Sequence, residues 1–221
     1  MKIINPYIEV EPIDGIKIMK NIEKACRTCY RSEGNITEDS YKKLLTNCIT
    51  RGHESVLEHE KITVRINADI GVYKDLTRHR IASFSIESTR YCNYGKDKFD
   101  NEIKFIKPCN IEEETELYEK WYEACKSIEE KYMEMADLGA TPDQMRMILP
   151  HSTAAEIVMT ANIREWKHVL ELRTTSHVHP SVRQVMIPLL IYFKKEMPEI
   201  FDGIQYDEGF PKEKYAKIVI E

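Results

Sequence analysis

Arg78, His79 and Arg80 follow one another in the chain, and Ser83, Ser85, Glu87, Ser88 and Arg90 fall within the next ten residues. A guanidinium presents a rigid fork of donors that fits phosphate bidentately, and serine hydroxyls complete such a site. Two arginines around a histidine, then a hydroxyl-rich run without lysine, suit oriented anion binding better than a solvated charged face. If this run is extended, residues of equal parity share one side, so Ser88 and Arg90 address the same ligand. Further arginines stand beside short polar motifs at Arg146, Arg164 and Arg173. A ligand with several negative charges would use such a set through charge-assisted hydrogen bonds.

The connector from Gly52 to His59 is dense in ionisable side chains: His53, Glu54, Glu58 and His59. The two histidines are six positions apart and lack the helical HExxH spacing, so no metal is expected there. Eight glycines are scattered without a GxGxxG or Walker pattern, which leaves a dinucleotide-binding Rossmann unit unsupported. Ser88 has no nucleophile elbow and no recognisable base, and is read as a ligand-binding hydroxyl. Cys26 and Cys29 form a lone CxxC on a helical pattern and read as core residues.

The Arg78-His79-Arg80 triplet, seven residues and Ser88 resemble the signature of the flavin-dependent thymidylate synthases. RGHES at 51–55, RHRIAS at 78–83, ESTRY at 87–91, RMILP at 146–150, NIREW at 162–166 and ELRTTSH at 171–177 follow in that family's order and spacing. The resemblance implies reductive methylation of deoxyuridine monophosphate (dUMP) to thymidylate. The carbon would come from 5,10-methylenetetrahydrofolate, NADPH or NADH would reduce bound FAD, and tetrahydrofolate would be the folate product. By the same resemblance, Arg78, His79 and Arg80 contact FAD, with His53, Ser55 and Glu58 lining the same pocket. Asn162, Arg164 and His168 add flavin contacts from a neighbouring subunit of a homotetramer, and His177 lies near the flavin and folate entrance. Glu87, Ser88, Arg90 and Arg146, with Arg78, bind the nucleotide, and Arg173 faces the uracil as the catalytic residue. The chain departs from the family pattern at Asp75, where Gln or Glu is common, at Ser85-Ile86, where Asn-Glu is common, and at Val178 to Val182 after His177.

These residues need a scaffold. Helices are expected over 14–30, from the Thr37 cap to Gly52, over 70–79, over 112–138, from Thr141 to Pro150, from Arg164 onward and over 181–196, where Pro188 should kink or end the last one. Strands are expected at 61–67 by strict alternation, at 103–106 and at 153–161. The tail after Pro198 reads as peripheral. With these elements, the resemblance implies an α+β fold, a central antiparallel sheet surrounded by helices, as one domain over 1–221.

Composition bounds the rest. The 221 residues carry 42% hydrophobic residues and a formal net charge of −5. A uniformly acidic chain is poorly suited to general nucleic-acid binding, which rests on neutralising phosphates. No apolar run approaches the roughly 20 residues of a membrane span, and six cysteines without a signal peptide suggest reduced thiols in the cytoplasm. Without the resemblance, the same residues also admit a divalent-metal phosphohydrolase using His53, His59 and His79, or an RNA- or nucleotide-binding module.

Overall fold

The computed structural model describes residues 1–96, 98 and 101–220. Its strands are β1 (Lys2–Ile4), β2 (Tyr7–Val10), β3 (Lys61–Asp69), β4 (Ala82–Ile86), β5 (Lys104–Ile106), β6 (Ala154–Asn162) and β7 (Lys217–Ile220). Its α-helices are α1 (Gly15–Thr28), α2 (Ser40–Thr50), α3 (Ile70–Leu76), α4 (Glu116–Asp137), α5 (Pro142–Met145), α6 (Ile163–Arg173), α7 (Pro180–Glu196) and α8 (Pro198–Phe201). The main sheet has the order β4-β6-β3-β2-β7. Its first three pairings are antiparallel, and β7 joins β2 in parallel. β1 and β5 form a separate parallel pair.

Alternation builds the sheet's apolar face. Ile62, Val64, Ile66 and Ala68 on β3 stand opposite Ala161, Met159, Ile157 and Ala155 on β6, and all eight are buried. A one-residue slip would turn that whole set to the other face, so the register is strongly specified. The helices α1, α3, α6 and α7 contribute to the same apolar cluster. α7 carries apolar residues all round, and ten of its seventeen residues are buried, as expected of a helix inside the core.

Several expectations change. Pro188 lies inside a continuous α7. A proline at 188 cannot donate to the carbonyl of Gln184, and that carbonyl instead accepts the N–H of Ala216 at 2.9 Å. The tail is accordingly structural: Ile200, Phe201, Ile204, Phe210 and Ala216 are buried, and β7 completes the sheet edge. Sequence periodicity missed β1, β2 and β7 because each is only three or four residues long. α2 opens at Ser40, not at Thr37, because the Ser40 hydroxyl takes the Thr37 N–H at 2.9 Å in a preceding turn. Cys26 is buried but pairs with Cys48 from α2, Sγ to Sγ 3.5 Å, while Cys29 is exposed. Among the described residues, no helix is long and apolar enough to cross a membrane.

Candidate active site

The Arg-His-Arg stretch is delivered by α3. Asp69 caps this helix by accepting the Val72 N–H at 3.0 Å, and Thr77 closes it by donating its hydroxyl to the Tyr73 carbonyl at 2.8 Å. The chain then runs through Arg78, His79 and Arg80 into β4, the edge strand, with Ala82 opposite Ala161 and Ile86 opposite Ile157. β4 ends at Ile86, and residues 88–91 form a turn closed by Tyr91 N–H to the Ser88 carbonyl at 3.0 Å. The equal-parity argument for Ser88 and Arg90 therefore fails, because neither residue lies on the strand.

Two clefts open at the two ends of β4. The first has a volume of about 600 Å³ and is lined by Arg78, His79, Arg80, Asn162, Arg164, His168 and Glu58, all expected, and by Glu54, Glu165 and Glu171, which were not. Its carboxylates are mostly matched. Arg164 donates to Glu58 at 2.6 Å, and Lys167 bridges Glu54 at 3.0 Å and Glu171 at 2.6 Å. Arg78 and Arg80 are exposed and have no ion-pair partner among the described residues, which leaves two cations for an incoming anion. The Asn162 side chain caps α6 by accepting the Glu165 N–H at 2.8 Å, which fixes where that helix begins. His53, Ser55 and His177 are exposed and line neither cleft.

His79 differs from its neighbours: it is 6% exposed. Burial first, then the charges of Arg173, His168 and Arg78, lower its pKa to about 4, so the ring is neutral near pH 7. Its Nε2 accepts from Arg173 Nε at 2.9 Å, and the edge of its ring meets His168, centroids 5.8 Å apart. Arg173, the last residue of α6, also donates to the Asp75 carbonyl at 2.8 Å and lies 3.4 Å from the Asp75 carboxylate. It lines neither cleft as these are shaped here. Asp75 thus holds this arginine through both its backbone and its side chain.

The second cleft, about 510 Å³, is lined by Glu87, Ser88 and Arg146, as expected, together with Thr89, Lys74 and His151. Lys74 Nζ donates to His151 Nε2 at 2.9 Å. Glu87 accepts the Tyr94 hydroxyl at 3.0 Å. Ile70, Ile86, Leu149 and Pro150 supply an apolar wall, so Ile86 is part of the cleft. Arg90 is exposed and is drawn to Asp143 at 3.5 Å, outside this lining. Sequence reading did not single out Lys74, which lies on α3 one turn before Arg78, and its approach to His151, 77 positions away, carried no sequence signal.

Among the described residues, no three His, Cys, Asp or Glu side chains gather as a metal-binding group. The phosphohydrolase reading therefore lacks a ligand set. Burial, with the neighbouring Cys48, pushes the Cys26 thiol up to about 11, and burial also raises the thiols of Cys92, Cys109 and Cys125, which disfavours their thiolates.

Comparison with known proteins fits this arrangement. The family model described as "Thymidylate synthase complementing protein" matches residues 16–199. The flavin-dependent thymidylate synthase of Pyrococcus abyssi is 35% identical over 156 residues, which are 70% of this chain and 63% of that protein. That of Thermococcus kodakarensis is 32% identical over 186 residues, 84% of this chain and 71% of that protein. The chain thus spans about 63% of the length of the Pyrococcus abyssi and Pyrococcus furiosus relatives it matches. A crystal structure of a UMP/dUMP methylase, PolB from Streptomyces cacaoi, bound with 5-Br dUMP, shares the fold with a TM-score of 0.75 at 23% identity, covering 91% of this chain and 96% of that one. Because the family match runs from α1 into α8 and takes in both ends of β4, the chain belongs to the thymidylate synthase complementing proteins, the family of the flavin-dependent thymidylate synthases.

Proposed function

We propose that this chain is a flavin-dependent thymidylate synthase, methylating dUMP to dTMP with 5,10-methylenetetrahydrofolate as carbon donor, FAD as bound cofactor and NADPH or NADH as reductant. The observation that carries this reading is the pair of clefts at opposite ends of β4, each with cations positioned for an anionic ligand. The names of the relatives support it, as does the nucleotide named with the structural neighbour.

The donor set of the first cleft suits the diphosphate of FAD. Arg78 and Arg80 are uncommitted, and the same cleft is lined by Asn162, the N-cap of α6, and Arg164, in its first turn. His53, Ser55, Glu58, His79, His168 and His177 complete the proposed flavin and folate surroundings. When bound, reduced FAD supplies the hydride that turns the transferred carbon into a methyl group. Arg146, Ser88 and Arg90, with Arg78, hold the phosphate and sugar of dUMP through charge-assisted bonds, and Glu87 and the apolar wall of the second cleft orient the base. Arg173 is the catalytic residue, placing a fixed positive charge where negative charge develops on the uracil.

β4 is an edge strand; Ile81 just before it and Ile86 at its end are 70% and 42% exposed. Isoleucines exposed beside the site favour completion of each site by a second copy in a homotetramer. We further infer one domain over 1–221, acting in the cytoplasm, with no nucleic-acid or membrane partner.

The test is a spectrum of purified protein followed by turnover. Flavin absorbance that bleaches with NADPH or NADH, and conversion of dUMP to dTMP with tetrahydrofolate as the folate product, are expected. A colourless protein that binds no FAD and forms no dTMP would sink the assignment.

A further inference from the structure

Arg173 is held on several sides, and one residue stands behind the group that holds it. A guanidinium carries five N–H donors and no acceptor. One of them, on Nε, points at His79 Nε2 at 2.9 Å. Nε2 must therefore carry a lone pair, and the single proton of the neutral ring must sit on Nδ1. Nδ1 in turn faces Oε1 of Glu165 at 3.4 Å. Both side chains are secluded, His79 being 6% and Glu165 7% exposed. With the proton on Nε2 instead, two N–H groups would oppose each other at hydrogen-bond distance, and Arg173 would be driven out of its place.

Glu165 has no other assigned task. Its backbone N–H is taken by Asn162, which fixes its position in the first turn of α6, while Arg173 ends the same helix. The buried His79 ring thus ties the two ends of α6 together. Asp75 engages two further guanidinium donors. Three of the five N–H groups are then committed to the protein, and two remain for a ligand.

We propose that Glu165 is a positioning residue of the active site, whose carboxylate keeps the proton on His79 Nδ1 and so leaves Nε2 as the acceptor that aims Arg173. The catalytic part of this inference rests on the proposed synthase function; the tautomer part does not. Such a device matters because a small misplacement of a charge-stabilising group costs rate without abolishing binding.

The test separates these parts. Nitrogen-15 NMR of histidine-labelled protein, free of cofactor and nucleotide at pH 7, is expected to show His79 as the Nδ1–H tautomer in the wild type. Glu165→Gln keeps an acceptor oxygen and should preserve that state; Glu165→Leu should yield a tautomer mixture. In the methylation assay, Glu165→Leu should lower kcat by roughly tenfold to a hundredfold while the dUMP dissociation constant shifts about twofold or less, and Glu165→Gln should recover most of the rate. An Nε2–H tautomer in the wild type overturns the proposal, as does an unchanged kcat in Glu165→Leu. If Glu165→Leu does not fold, the wild-type spectrum and the Gln variant still decide it. If the wild type methylates nothing while His79 shows the expected tautomer, the synthase reading fails and the positional relationship stands.

Discussion

The N–H of Ala216 donates to the carbonyl of Gln184 at 2.9 Å, and Gln184 is the residue whose helical donor is missing because position 188 is proline. The tail thus repairs a defect that its own chain builds into the core helix. Ending the chain at Tyr215 removes both the Ala216 donor and strand β7, leaving the Gln184 carbonyl unpaired. A buried unpaired carbonyl costs about 1–3 kcal/mol, so urea denaturation should show at least that loss. Pro188→Ala restores an N–H to the same carbonyl. It should therefore stabilise the shortened chain more than the full chain, by about 1 kcal/mol in a double-mutant cycle. Equal effects in both backgrounds would show that the two features are unconnected.

Gly15 tests the packing of α1 against α7 in a different way. A Cβ at this position would lie 1.9 Å from the Glu196 carbonyl oxygen and 2.7 Å from its carbon, both backbone atoms that cannot step aside alone. Gly15→Ala should cost about 3 kcal/mol, the upper end of ordinary overpacking, read as a lowered urea midpoint. Gly34→Ala is the control: a Cβ there meets nothing within 4 Å, and the change should stay within about 0.5 kcal/mol.

The contrast between these two sites and the motifs shows what a sequence can reveal. Strand β3 and helices α1, α4 and α6 were readable because strict alternation or helical spacing runs through nine or more residues. The Arg-His-Arg stretch was readable because its residues are contiguous, and the resemblance extended that to the matching motifs. β7 was not, since four residues reveal nothing until β2 lies beside them. Neither was the role of Glu165, which sits next to Arg164 in the chain but works through His79, 86 positions earlier. His53, Ser55 and His177, proposed for the flavin and folate surroundings, line neither cleft of the single chain.

Lys74 and Arg146 provide the cations of the second cleft, and Lys74 is oriented by His151. Each should contribute a charge-assisted hydrogen bond to the nucleotide phosphate, worth about 1.5–3 kcal/mol. Lys74→Gln and Arg146→Ala are accordingly expected to weaken dUMP binding by roughly tenfold or more each, measured by calorimetry. Flavin retention should be unaffected, because neither residue lines the first cleft. Loss of FAD from either variant, with dUMP affinity intact, would reverse the assignment of the two clefts.

His79 gives the fold a pH dependence of definite sign. Its pKa falls from an ordinary value of 6.5 to about 4 on folding, chiefly because burial disfavours the imidazolium. Between those values the unfolded chain binds the proton more readily than the native one, so this group lowers stability as pH falls from about 6.5 to about 4. Its contribution is fully present above that window and is lost across it; below about 4 both states are protonated and the slope from His79 ends. His79→Gln keeps an acceptor oxygen for Arg173 but cannot titrate. Thermal midpoints followed from pH 7 to pH 4 should therefore fall less steeply in the variant than in the wild type, even if the variant starts lower. Parallel curves would mean that folding leaves the His79 pKa unchanged, and the depression assigned to its burial would be overturned.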